Sequence, residues 1–197
     1  MANLLFTSDT HYYHKKIIEY CRRPFGSVEE MNEAMIDRWN SKVKPEDEVY
    51  HIGDFALKCS VPEVENIVRR LNGHIHLILG NHDLKNKSVM RAGGFVEKVH
   101  YKELKVGDLK IVLCHYPFLT WNKSHRGSWS LHGHCHGTLK NPKCPFCLKS
   151  QEGLLARRLD VGVDCWNFEP VSFDELAVVM EKVKFEPVDH HEEKEDM

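Results

Sequence analysis

Apolar positions fall into short runs closed by turn residues. Asn3–Ser8 (NLLFTS) reads as a buried strand. Ser27 and Glu30 have the spacing of a capping box. Behind them, Val28 to about Val43 keeps helical spacing, with Met31, Met35 and Trp39 on one face, until Pro45 stops it. Glu48–Ile52 predicts a strand that ends at Gly53-Asp54. Pro62–Leu71 predicts a helix with proline in its first turn, closed by Gly73. His76–Leu79 predicts a strand ending at Gly80-Asn81. A shorter helix over Ser88–Ala92 is broken by Gly93-Gly94.

The pattern then changes. Val96–Tyr101, Lys102–Val106 and Leu109–Cys114 read as successive strands, the last two joined at Gly107-Asp108. Trp129–Gly133 and Arg158–Val163 are two further short strands. Ser172 and Glu175 form another capping box ahead of a helix over Phe173–Lys184. Early βαβ units followed by β hairpins predict one layered α/β domain with a mixed sheet. No internal repeat is visible.

Polar residues interrupt this pattern at the strand ends. The first strand runs into Asp9-Thr10-His11, the second into Gly53-Asp54 and the third into Gly80-Asn81-His82-Asp83. Leu109–Cys114 runs into His115, and the next strand into Gly133-His134-Cys135-His136. Open α/β sheets bind ligands outside the carboxyl ends of their strands, so these five ends predict one site. An extended backbone would let Asp9 and His11 face one ion, and His134 and His136 repeat that spacing. Asp54 has two oxygens with which to bridge two cations, and Asn81 offers an amide oxygen. Mixed imidazole and carboxylate donors suit Mn, Fe, Ni or Zn better than Ca or Mg. Seven donors around two ions, with positions left for water, describe a catalytic centre able to clamp a phosphoryl group.

Composition sharpens this. The chain has 197 residues, 14 histidines, 7 cysteines and a net charge of −2. The length suits one domain. Histidine is far in excess, and it is the commonest metal ligand. An odd cysteine count with no secretory signal argues against a disulfide framework and for a cytoplasmic protein, or host cytoplasm if viral. No apolar run reaches a membrane span. Residues 185–197 hold six acids and one base, so the rest carries +3, and this tail is expected to be disordered.

The ordered set Asp9-x-His11, Gly53-Asp54, Gly80-Asn81-His82-Asp83, His115 and Gly133-His134-x-His136 resembles the calcineurin-like metallophosphoesterase superfamily. Tyr20–Phe25 and His125–His136 further resemble its small bacterial and phage members. The resemblance implies an α/β/β/α sandwich with mixed sheets over residues 1–184. It implies one ion held by Asp9, His11, Asp54 and His136, and another by Asp54, Asn81, His115 and His134. A hydroxide held by the two metals, manganese being the first expectation, would attack phosphorus in line. His82 would serve the leaving group, and Asp83 would orient it or else cap the following helix.

The short chain shows no cap domain, which favours a phosphodiester, such as a nucleotide or nucleic acid, over a monoester. A metal-dependent scaffold without turnover is the alternative from another class. Arg22, Arg23 and Arg126 are candidates for substrate phosphate. Trp121 is a candidate for stacking on a base. Residues 137–153 depart from the family's common core. Within them Cys144-Pro145-Phe146-Cys147 offers half of a structural zinc site, which Cys135, Cys165 or a second chain would have to complete. With Lys140, Lys143 and Lys149 the same loop could contact nucleic acid.

Overall fold

The computed structural model describes residues 2–139 and 157–183. Its elements, in chain order, are β1 (Leu4–Thr7), α1 (Lys15–Tyr20), α2 (Val28–Lys42), β2 (Glu48–His51), α3 (Val61–Arg70) and β3 (His74–Ile78). There follow α4 (Asn81–Lys85), α5 (Lys87–Arg91), β4 (Glu97–Val99), β5 (Lys102–Val106), β6 (Leu109–Leu113), β7 (Trp129–His132), β8 (Arg158–Asp160), β9 (Val171–Ser172) and α6 (Phe173–Met180).

Two mixed sheets form. The first has the order β4-β3-β2-β1-β9, parallel except for β9; the second has the order β5-β6-β7-β8, parallel except for β5. The expected run of late hairpins is therefore reduced to one, β5–β6. Strand β4 pairs with β3 instead of β5, and β7 and β8 continue the second sheet in parallel, because their connections are long enough for crossovers. Strand β9 was not predicted; its two residues overlap the α6 cap.

Side-chain alternation sorts the strands between two cores. Leu5, Val49, Ile75 and Leu77 face α2 and α3, whose Met31, Met35, Trp39, Val64 and Ile67 complete one apolar cluster. Phe6, Tyr50, Ile52 and Ile78 face the second sheet and meet Ile111, Leu113, Leu131 and Leu159. Helix α6 adds Leu176, Val179 and Met180 to this second cluster. The layers are thus helices, sheet, sheet, with α6 docked beside β1 and β9.

The caps are largely those predicted. Ser172 and Glu175 form a reciprocal box; at α3 an unpredicted cap has Glu63 Oε2 accepting from Ser60 N and Ser60 Oγ at 2.7 Å each. At α2 the box is half made: Ser27 Oγ accepts from Glu30 N, but Glu30 Oε2 accepts from Gly26 N. Helix α6 ends at Met180, short of the predicted Lys184.

His76 has a structural role. Its Nδ1 and Nε2 each lie 2.6 Å from a carboxylate, Glu97 on β4 and Glu48 on β2, so one imidazole ties three strands.

Phe6 is fully buried between the sheets. Phe6→Ala is expected to cost about 3–5 kcal/mol, read as a lowered urea midpoint.

Candidate metal centre

The parallel register brings the carboxyl ends of β1, β2 and β3 to one edge, and those of β6, β7 and β8 to another. The two edges meet. Ser8 forms a parallel bridge with Gly162, where Val163 N donates to Ser8 O at 3.0 Å. The loops after six strands therefore converge on one place, and the predicted donors converge with them.

One half of the site gathers Asp9, His11 and His136. His11 Nε2 lies 3.9 Å from Asp9 Oδ1, and His136 Nε2 lies 3.8 Å from the same oxygen. Asp54 Oδ2 lies 3.7 Å from His11 Nε2 and 3.5 Å from His115 Nε2, so this carboxylate faces both halves. In the other half, Asn81 Oδ1 is 3.2 Å from His115 Nε2 and 2.9 Å from His134 Nδ1. All seven predicted donors are assembled.

These residues fit divalent cations. Asp9 Oδ1 and His11 Nε2 are buried and have no hydrogen-bond partner. Buried polar atoms are rarely left so. Separations of 3.5–3.9 Å are too long for hydrogen bonds. They lie within the roughly 4.2 Å available to two ligands of one ion with bonds of about 2.1 Å. Neighbouring groups set the tautomers. His115 Nδ1 donates to Ile52 O at 2.8 Å, and His136 Nδ1 to Asp164 Oδ2 at 2.7 Å. In both residues Nε2 is left to point into the site.

Charge is poorly balanced by protein groups alone. Burial pushes the Asp9 carboxyl up to about 7, against the pull of His136 and His115. Burial also holds His11 well below the ordinary histidine range, helped by His136 and Arg23. Burial opposes charge on His115 too, but the adjacent Asp54 carboxylate and the Asp9 charge outweigh it and lift it to about 9. Protons on imidazoles thus occupy a role that divalent cations would fill better.

The backbone differs from the extended form expected of the Asp-x-His and His-x-His pairs. Asp9, His11, Asp54, His134 and His136 all have positive φ, between 46° and 70°. Left-handed conformations at alternate residues turn both side chains to the same side within a tight loop. Such residues cost about 1–3 kcal/mol each where no local group favours them, and they cluster at functional sites.

The glycines of the motifs have a steric reason. A Cβ on Gly133 would sit 1.9 Å from Ser8 Oγ and 2.3 Å from Asp9 Oδ2. One on Gly80 would sit 2.3 Å from Asp54 Oδ1. Neighbouring loops touch backbone to side chain, and only glycine leaves room.

His82 stands at the mouth, about a third exposed, with Nε2 3.9 Å from Asp54 Oδ2. Asp83 takes the capping role and not the orienting one. Its carboxylate accepts from Asp54 N (2.7 Å), Phe55 N (2.9 Å) and Gly80 N (2.9 Å), clamping the β2 loop to the start of α4. Burial pushes it up to about 6 despite those amides.

Two predicted substrate contacts are corrected. Arg23 is buried, and its five N–H donors go to Asp164, Asp9 O, Thr10 O and Met31 Sδ. Trp121 is also buried, with Nε1 donating to Ser128 Oγ at 2.9 Å. Arg22 and Arg126 are exposed. Cys144, Cys147 and the neighbouring lysines lie outside the described residues.

Three residues near the site were not predicted. Tyr116, 45% exposed, stands roughly perpendicular to His134 at 4.8 Å between centroids, and is thus an exposed aromatic ring beside the site, as buried Trp121 is not. Asp160 accepts from Gly137 N and Gly162 N, tying down the loop that follows His136. Asp164 holds His136 itself. The rule that found the other strand ends applies equally to β8, whose end leads to both aspartates.

Adding Mn²⁺ to metal-free protein is expected to release protons and raise Tm. The stabilisation is about 2.7 kcal/mol at a free-ion concentration 100 times Kd. Asp54→Asn is expected to lose most of both effects, as read by calorimetric titration and thermal melts.

Comparison with known proteins agrees. The family model "Calcineurin-like phosphoesterase superfamily domain" matches residues 2–143. The uncharacterized protein MJ1445 of Methanocaldococcus jannaschii is 34% identical over 185 residues, covering 93% of this chain and 94% of that one. The Gene 66 protein of Mycobacterium phage L5 is 27% identical over 203 residues, covering 89% and 93%. Among solved structures, AQ665 of Aquifex aeolicus, a protein of unknown function, matches with a TM-score of 0.68 and 25% identity over 90% of this chain and 99% of that one. Fold, ordered donors and family model converge: this chain belongs to the calcineurin-like phosphoesterase superfamily.

Proposed function

We propose that this protein is a dinuclear metal-dependent phosphodiesterase. Asp9, His11, Asp54 and His136 hold one divalent ion; Asp54, Asn81, His115 and His134 hold the other, with Asp54 shared. The observation that carries this reading is the pair of orphaned buried atoms, Asp9 Oδ1 and His11 Nε2, 3.9 Å apart and facing each other. Imidazoles mixed with carboxylates favour Mn, Fe, Ni or Zn, and Mn is the ion to try first. When bound, the pair of ions supplies Lewis acidity to phosphoryl oxygens and lowers the pKa of a water nucleophile.

The chain's own residues then divide the work. Asp83 fixes the Asp54 and Gly80 backbones, so the shared carboxylate keeps its place. His82 extends past Asp54 towards solvent, where it can hold or protonate a leaving-group oxygen. His134 is exposed and His82 partly so, which leaves the mouth open to an ester with two organic arms. Tyr116 lies beside His134, where a planar arm such as a nucleobase would stack. Exposed Arg22 and Arg126 are the candidates for flanking phosphates of a longer substrate. No helix among the described residues is long and apolar enough to cross a membrane.

The test is a panel of aryl monoesters, aryl diesters, cyclic nucleotides and nucleic acids, run with each candidate metal. Diesters are expected to be hydrolysed faster than monoesters, and a monoester preference would overturn the diesterase reading. His82→Ala is expected to lower kcat about 10²- to 10⁴-fold with both ions retained. Asp54→Ala is expected to lose activity together with metal. Full activity in Asp54→Ala would overturn the mechanism. Tyr116→Ala is expected to raise KM for nucleotide diesters while leaving methyl esters unchanged.

A further inference from the structure

Arg23 and Asp164 make a buried ion pair directly behind one half of the metal centre. Their side chains are 0% and 9% exposed. Arg23 Nε and Nη2 donate to the two oxygens of Asp164 at 2.8 Å each, a forked pairing that fixes the carboxylate in plane. Asp164 Oδ2 also accepts from His136 Nδ1 at 2.7 Å. The same guanidinium donates to Asp9 O at 2.7 Å and to Thr10 O at 2.9 Å. One side chain therefore braces both donors that face each other at Asp9 Oδ1 and His136 Nε2.

The bracing is one-sided. Among the described residues, no hydrogen bond of Arg23 or Asp164 reaches the donors of the other half. Asn81 and His134 contact each other there, and His115 is held by Ile52 O. The supports of the two halves are thus largely distinct, and the halves join at Asp54 and where Asp9 Oδ2 accepts from His134 N at 2.9 Å.

From this, and resting on the dinuclear reading above, we propose that Arg23 and Asp164 are positioning residues for the ion held by Asp9, His11 and His136, and set its affinity far more than that of the other ion. The carboxylate fixes His136 with Nε2 turned inward and raises the ring's basicity as a ligand. The guanidinium neutralises Asp164, which would otherwise be a costly buried charge, and pins the left-handed backbone of Asp9. Neither residue touches substrate.

The experiment is calorimetric titration of metal-free protein with Mn²⁺, together with the visible spectrum of the Co²⁺-loaded form, for wild type, Asp164→Ala, Asp164→Asn and Arg23→Lys. Wild type is expected to bind two ions. Asp164→Ala is expected to bind one ion as wild type does and the other ten- to a hundredfold more weakly, with one Co²⁺ band set lost. Asp164→Asn keeps an acceptor for His136 Nδ1, and is expected to recover part of the weakened affinity. Arg23→Lys cannot fork, and is expected to weaken the same ion most. The ion that still binds certifies that the variant is folded. Equal weakening of both ions, or two unchanged affinities in Asp164→Ala, would overturn the proposal. Should Asp164→Ala fail to fold, Asp164→Asn decides by the same criterion: one affinity lowered supports the proposal, and both or neither lowered overturns it. A wild type that binds fewer than two ions overturns the dinuclear reading itself, and this proposal with it.

Discussion

The centre depends on two sheets meeting at their carboxyl edges with almost no space between them. The Ser8–Gly162 bridge joins the edges, and Gly133 lies against Ser8 and Asp9 where a methyl group would not fit. That closeness buries Asp9 completely and points six loops at one another. A wider seam would admit water, satisfy the carboxylate and dissolve the site into a polar groove.

Burial has a consequence in charge. Burial pushes the Asp9 carboxyl up, whereas at Asp54 burial is outweighed by His115 and His82, which hold that carboxyl below its ordinary range; burial and neighbouring cations keep His11 from charging. Protons settle part of this imbalance, chiefly on His115 and His136. Divalent cations would settle more of it, because each could satisfy several donors at once. The left-handed backbones at five donors store strain that the rest of the fold must hold in place. Asp83, Asp160, Arg23 and Asp164 are the residues that do so, through hydrogen bonds to the same loops.

These supporting groups were the hardest part to read from sequence. Arg23 looked like a phosphate contact because an isolated arginine beside a motif has no visible partner. Its partner, Asp164, lies 141 positions away along the chain. Trp121 looked available for stacking, and is instead enclosed with its indole on Ser128. The sequence leaves two roles open for Asp83; in the structure its carboxylate accepts from the Asp54 and Phe55 amides. Tyr116 went unremarked because one tyrosine after a histidine carries no pattern.

Local order and composition were enough for most strands, the main helices, the Ser172 cap and the placing of seven candidate donors at strand ends, since each follows from periodicity, punctuation or the chemistry of a strand end. They were enough for the family as well, because five motifs in sequence order leave little room for chance. Only the tertiary structure could assign the sheet partners of β4, β7 and β8, turn the Asp-x-His loop from extended to left-handed, and divide arginines and aromatics between support and surface. Those outcomes depend on what approaches a residue from a distant part of the chain, and on whether water remains once it has arrived.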